Sequence, residues 1–171
     1  GCGKSTLVDI ICGLYPSYYN HIKLNSLRYH DINIKKFQST ISYVPQFFFC
    51  RKGTLREFLL EANAQFSDHY AAKLLKDFEL EFLIEGNQIK FEFLLEENFK
   101  NLSGGQRQRL VLVLEILRGP KLLILDEATN ALDASTESKI LQIIIDLGVP
   151  LIMITHNPIQ TDKFNLINLG R

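Results

Sequence analysis

The sequence predicts an α/β fold: a mainly parallel sheet core with a helical subdomain inserted in its middle. Three observations carry that expectation. Short apolar or β-branched runs alternate with helical stretches at both ends of the chain, as parallel sheets with crossover helices require. Leu122 to Leu125 is apolar throughout, the pattern of a strand buried on both faces. Between them, from Thr54 to Leu117, most residues read as helix.

In chain order, Ser5 to Leu14 predicts a helix leaving a glycine-bearing loop, and Ile22 to Leu24 and Ile41 to Val44 predict strands. Thr54 and Glu57 stand at capping-box spacing and start a helix over Leu55 to Ala62. Ser67 to Phe78 predicts a second helix, with Ala71, Leu74, Leu75 and Phe78 on one face. Leu80 to Asn98 mixes helix formers with the alternation Phe91-Glu92-Phe93, and its structure stays open. Ser103 and Gln106 form another capping pair ahead of a helix that Gly119-Pro120 should stop. A strand at Leu122 to Leu125, a helix from about Ser135 to Leu147 closed by Gly148, and strands at Leu151 to Thr155 and Phe164 to Leu169 complete the reading. The expected division is an α/β core from 1–53 and 118–171, with 54–117 as the helical subdomain.

With 171 residues the chain can bury one sizeable core. Its 19 Lys and Arg residues balance 19 Asp and Glu residues, so no global field favours a nucleic acid or an anionic membrane, and no nucleic-acid partner is expected. The longest apolar runs, Leu110 to Leu114 and Leu122 to Leu125, stop at Glu115 and Asp126, far short of the ~20 residues that a membrane span needs. Cys2, Cys12 and Cys50 match neither a disulfide framework nor a zinc spacing.

Chemistry enters at the first residue. Gly1-Cys2-Gly3-Lys4-Ser5-Thr6 has the form of the closing half of the phosphate-loop pattern G-x-x-x-x-G-K-[ST]. Glycines there let backbone N–H groups curl around phosphates, and the helix N-terminus adds positive potential. Lys4 is placed to reach the β- and γ-phosphates, and the Ser5 hydroxyl to ligate Mg²⁺. The first glycine of the pattern falls ahead of Gly1, so the natural sequence is expected to extend upstream. At the carboxyl end of the apolar run, where α/β sheets bind ligands, Asp126 is a candidate Mg²⁺ ligand and Glu127 a candidate partner for the attacking water. Leu102-Ser103-Gly104-Gly105-Gln106 is the odd element. Two glycines at a helix start disfavour the helix, but they leave backbone N–H groups open to an anion.

These residues resemble the motifs of ABC ATPases, in that family's order. Leu102 to Gln106 looks like the signature motif, Gln46 after Tyr43-Val44-Pro45 like the Q-loop glutamine, Asn130-Ala131-Leu132-Asp133 like the D-loop, and His156 like the switch histidine. Singly, Gln46 and His156 are weak signals; the ordered set over nearly the whole chain is specific. The resemblance implies a P-loop NTPase fold with a RecA-like core, missing its N-terminal strands. It implies ATP and Mg²⁺ held by Gly1, Cys2, Gly3, Lys4, Ser5 and Thr6, with Ser5, Gln46 and Asp126 at the metal. It also implies Glu127, Gln46 and His156 as the hydrolytic residues. Ser103, Gly104, Gly105 and Gln106 would close on the nucleotide of a second ATPase domain, paired head to tail as a homo- or heterodimer, and Asp133 would link the two sites.

Gln38 to Gln46, the stretch Gly53 to Glu57, and Ala128 after Glu127 are similar to the exporter branch, where the ATPase is fused behind a transmembrane domain and works on the cytoplasmic face of the membrane. The family's adenine-stacking aromatic and the strand entering the phosphate loop would lie upstream of Gly1, so the chain alone is expected to be inactive. Glu96 to Asn101 lacks the family's glycine-containing loop, and Leu114-Glu115 stands where Arg-Ala is common. The alternatives are a soluble ABC ATPase acting on DNA or ribosomes, or a regulatory half that binds ATP without hydrolysing it. A long coiled coil between Gln46 and Ser103 would mark the DNA-repair members, and none is present; Glu127 speaks against the regulatory half.

Overall fold

A computed structural model describes residues 3–155 and Asn165. Three parallel strands form the sheet that positions the site: β3 (Ile41–Val44), β8 (Leu122–Asp126) and β9 (Leu151–Ile154), in spatial order β3-β8-β9. The remaining strands, in chain order, are two-residue pieces. β1 (Lys23–Leu24) pairs with β2 (Leu27–Arg28), β4 (Gly53–Thr54) with β7 (Leu94–Leu95), and β5 (Ile84–Glu85) with β6 (Gln88–Ile89), all antiparallel. The helices are α1 (Lys4–Ile11), α2 (Ile34–Gln38), α3 (Leu55–Ala62), α4 (Asp68–Asp77), α5 (Gly104–Leu117) and α6 (Ala134–Asp146). None of the described helices is long and apolar enough to cross a membrane.

Alternation along the strands sorts side chains to two faces. On one face, Val44, Leu123 and Leu125 join the large core with α5, α3, α4 and α6. On the other, Ile41, Tyr43, Leu122, Ile124 and Ile154 meet Val8 and Ile11 of α1 and Cys12 at its C-cap. α5 buries Leu110, Leu112, Val113, Leu114, Ile116 and Leu117. Apolar residues nearly all round its second half are what a helix enclosed by other elements requires.

The predicted α3 boundaries match the structure, and so does its cap. Thr54 Oγ1 accepts the Glu57 N–H, and the Glu57 carboxylate accepts the Thr54 N–H. Thr54→Ala should cost about 1 kcal/mol in a denaturant melt, because one orphan N–H of the first turn loses its acceptor. α1 ends at Ile11 rather than at Leu14, since Gly13 turns the chain at φ 72°. The strand expected over Ile22 to Leu24 is the short β1, and the two-residue connection to β2 has Asn25 at φ 55°. The strand expected over Phe164 to Leu169 lies outside the described residues, Asn165 excepted.

The open stretch from Leu80 to Asn98 contains no α-helix. It holds two 3₁₀ turns, β5, β6 and β7. Phe91 and Phe93 carbonyls accept the Arg56 and Leu55 N–H groups at the start of α3, and the Arg56 guanidinium lies 4.1 Å from the Phe91 ring centroid. Asn98 is tied to Cys50 both ways: its N–H donates to the Cys50 carbonyl, and its side-chain oxygen accepts the Cys50 N–H. The middle of the chain is therefore helical in α3, α4 and α5, with small β-pairs stitching α3 to the segment ahead of α5.

Candidate active site

Gly3 opens α1 at φ 83°, and a Cβ built there would meet no atom within 4 Å. The left-handed backbone and the empty space beside it suit a loop that an anion must approach closely. Lys4 follows half-buried, with Ser5 and Thr6 exposed. Gly1, Cys2 and His156, all predicted site residues, lie outside the described residues.

Asp126 ends β8, 8% exposed. It alternates with Leu122 and Ile124, which places it on the α1 face of the sheet. There the Ser5 hydroxyl donates to its Oδ2 at 3.3 Å and the Tyr43 phenol donates to the same oxygen at 3.0 Å. Burial, and then the bond and the charge of Asp126, push the Tyr43 phenol up to about 12, so it remains a donor throughout the neutral range.

The next residue, Glu127, sits at φ 53° with its N–H bonded to the Ile154 carbonyl at 3.0 Å. A non-glycine residue at positive φ is uncommon; here it stands directly after the end of β8. Two amides converge on its Oε2, Gln46 Nε2 at 2.9 Å and Asn130 Nδ2 at 3.0 Å. The structure thus brings Ser5, Asp126, Gln46 and Glu127 together at the carboxyl ends of adjacent parallel strands, where α/β sheets bind ligands.

The glycine-paired helix start stands at the following loop. Ser103 and Gln106 cap α5 reciprocally, with Gln106 Oε1 taking the Ser103 N–H at 3.0 Å. A Cβ on Gly104 would lie 3.4 Å from Ala131 Cβ, and one on Gly105 would lie 3.4 Å from the Ala131 carbonyl oxygen and from Leu132 Cδ2. Gln108 Oε1 accepts the Ala131 N–H at 2.9 Å. Asp133 caps α6: its carboxylate accepts the Ser135 and Thr136 N–H groups and the Thr136 hydroxyl. Those bonds, led by the Thr136 N–H, hold its carboxyl below the usual aspartate range. Within the chain, then, Gln106 and Asp133 use their side chains to cap helices.

The family model described as ABC transporter matches residues 1–130. This chain belongs to the ABC transporter family. It is 38% identical over 141 residues to the microcin-J25 export ATP-binding/permease protein McjD of Escherichia coli, covering 82% of this chain and 24% of that protein. The glutathione/L-cysteine transport system ATP-binding/permease protein CydC of E. coli is 34% identical over 169 residues, covering 98% and 29%. The lactococcin-A transport/processing ATP-binding protein LcnC of Lactococcus lactis is 34% identical over 157 residues, 91% of this chain and 22% of that protein. The chain therefore spans about a quarter of the length of these relatives. A solved bacterial Atm1-family ABC exporter with ATP bound superimposes at a TM-score of 0.75 with 21% identity, over 91% of this chain and 28% of that one, which establishes the shared fold.

Reading motifs alone gave Tyr43 and Asn130 no role of their own in this ABC chain and missed Gln108. Tyr43 could have been found from the same alternation that places Ile41 opposite Val44. Asn130 and Gln108 act through a loop and a helix face whose proximity only the fold creates.

Proposed function

We propose that this chain is the ATP-binding and ATP-hydrolysing domain of an exporter-type ABC transporter, which pairs head to tail with a second such domain. The observation that carries the reading is the convergence of Ser5 on Asp126 and of Gln46 on Glu127, beside the glycine-bearing start of α1.

The donors fit the groups proposed. The Ser5 hydroxyl and a buried carboxylate are hard oxygen ligands, and Mg²⁺ is commonly bound through one or two carboxylates plus substrate phosphates and waters. Gly3 and the first N–H groups of α1 offer the phosphates an open, positive helix end, and Lys4 adds a full charge. When bound, Mg²⁺ neutralises charge on the β- and γ-phosphate oxygens. Gln46 and Glu127 hold the hydrolytic water: Glu127 takes its proton as general base, and Gln46 fixes the orientation of that carboxylate. His156 contacts the γ-phosphate.

The partner's α5 start supplies Ser103, Gly104 and Gly105 to the far side of the nucleotide, so a triphosphate bridges two chains and its hydrolysis releases them. The membrane-spanning part would precede this domain and place it on the cytoplasmic face; the cargo would be chosen there.

The test uses a version extended N-terminally to complete the phosphate loop, titrated with Mg²⁺ and a fluorescent ATP analogue. Lys4→Ala removes a charged hydrogen bond of about 1.5–3 kcal/mol, so affinity should fall about ten- to a hundredfold. Equal affinity in the two proteins, or no binding by the parent, would defeat the reading.

A further inference from the structure

Asp126 is one of the metal-side groups in the proposed site, and a carboxylate on a single bond can swing about its terminal torsion. The strand register shows what prevents this. β3 and β8 run parallel with Tyr43 paired to Ile124 and Val44 to Leu125. Asp126 is thus two residues beyond Tyr43's own partner, on the same face of the sheet. A tyrosine is long enough to cover that diagonal, and its hydroxyl arrives 3.0 Å from Oδ2. The ring itself packs in the cluster of Val8, Ile124 and Ile154, so the phenol oxygen is carried on a body held by α1 and the sheet. Ser5, from the loop end of α1, reaches the same oxygen. One carboxylate oxygen therefore takes two hydroxyl donors, from elements that also pack against each other.

We propose that Tyr43 is a positioning residue for the metal: its hydroxyl fixes the rotamer of Asp126 so that the carboxylate stands ready beside Ser5 before nucleotide and Mg²⁺ arrive. This rests on the ATPase reading above.

Tyr43→Phe removes the hydroxyl and little volume, so the ring's packing and the fold should survive. Tyr43→Leu removes the ring as well. In the extended version, Mn²⁺ binding is followed by electron paramagnetic resonance with a non-hydrolysable ATP analogue, and analogue binding without metal is measured in EDTA. Tyr43→Phe should weaken Mn²⁺ about tenfold, as loss of an outer-shell partner does, with metal-free binding unchanged and with turnover recovering as Mg²⁺ is raised to saturation.

If Mn²⁺ affinity is unchanged in Tyr43→Phe, or falls only in Tyr43→Leu, the tyrosine serves packing alone and the proposal is overturned while the ATPase reading stands. Loss of metal-free binding in Tyr43→Phe overturns it too. A parent protein that holds no Mn²⁺ with the nucleotide removes the ATPase reading, and this inference with it.

Discussion

Glu127→Gln, in the version with a complete phosphate loop, should retain ATP binding and lower turnover by about 10²- to 10⁴-fold, the span typical of a general base. The substitution is well suited to the site because it keeps an acceptor oxygen for the two amides that meet there. Gln46 and Asn130 both donate to one carboxylate oxygen, and the carbonyl oxygen of a glutamine has lone pairs for two donors. The positive φ of Glu127 and its backbone bond to Ile154 do not depend on the side-chain charge. What disappears is the basicity. If ATP glues two domains together, the blocked protein should also stay associated while ATP is present. Radiolabelled phosphate release and sedimentation with and without ATP read both effects. Turnover equal to the parent's would take Glu127 out of the reaction; blocked turnover without prolonged association would leave a hydrolase that has no closed pair.

The network around Glu127 shows how far local sequence reasoning reaches. Elements governed by neighbours in sequence were legible. The Thr54 and Ser103 capping boxes are three-residue relationships, and both form as expected. β3 was legible because Ile41 to Val44 is bounded by polar residues and proline, and Gly119 stopped α5 as a left-handed residue should. The Leu80 to Asn98 stretch was not legible because, apart from the local β5-β6 pair, its partners lie some forty residues earlier: β7 finds β4, Phe91 and Phe93 find the first turn of α3, and Asn98 finds Cys50. No local propensity records such pairings.

The same division holds in the site. Ser5, Asp126, Gln46 and Glu127 were readable as members of motifs. That Ser5 meets Asp126 across 121 positions and Gln46 meets Glu127 across 81 is a property of the sheet. Tyr43 fell between the two: its residue type says core, and only the register gives its hydroxyl a carboxylate.

The paired glycines of α5 carry the second large effect. Replacing both Gly104 and Gly105 by alanine should leave the melting temperature unchanged or higher, yet abolish ATP-stabilised association. Within the chain nothing forbids the methyl groups. The nearest atoms to a built Cβ stand at 3.4 Å, and neither glycine has a positive φ. Alanine is the better helix former by about 1 kcal/mol in a helix interior, and Ser103 and Gln106 would still cap the first turn. Folding of this chain therefore supplies no reason for glycine at either position.

The proposed head-to-tail pairing would supply that reason. An anion on the open N–H groups of α5 needs a close approach to bare backbone, and two methyl groups would hold it off. Losing even one charge-assisted backbone bond, about 1.5–3 kcal/mol, weakens association about tenfold or more. Measured by sedimentation in the Glu127→Gln background, the double variant should stay monomeric at ATP concentrations that pair its parent. Should it pair as readily, the glycines do not receive a partner's phosphate, and the head-to-tail arrangement loses its physical basis.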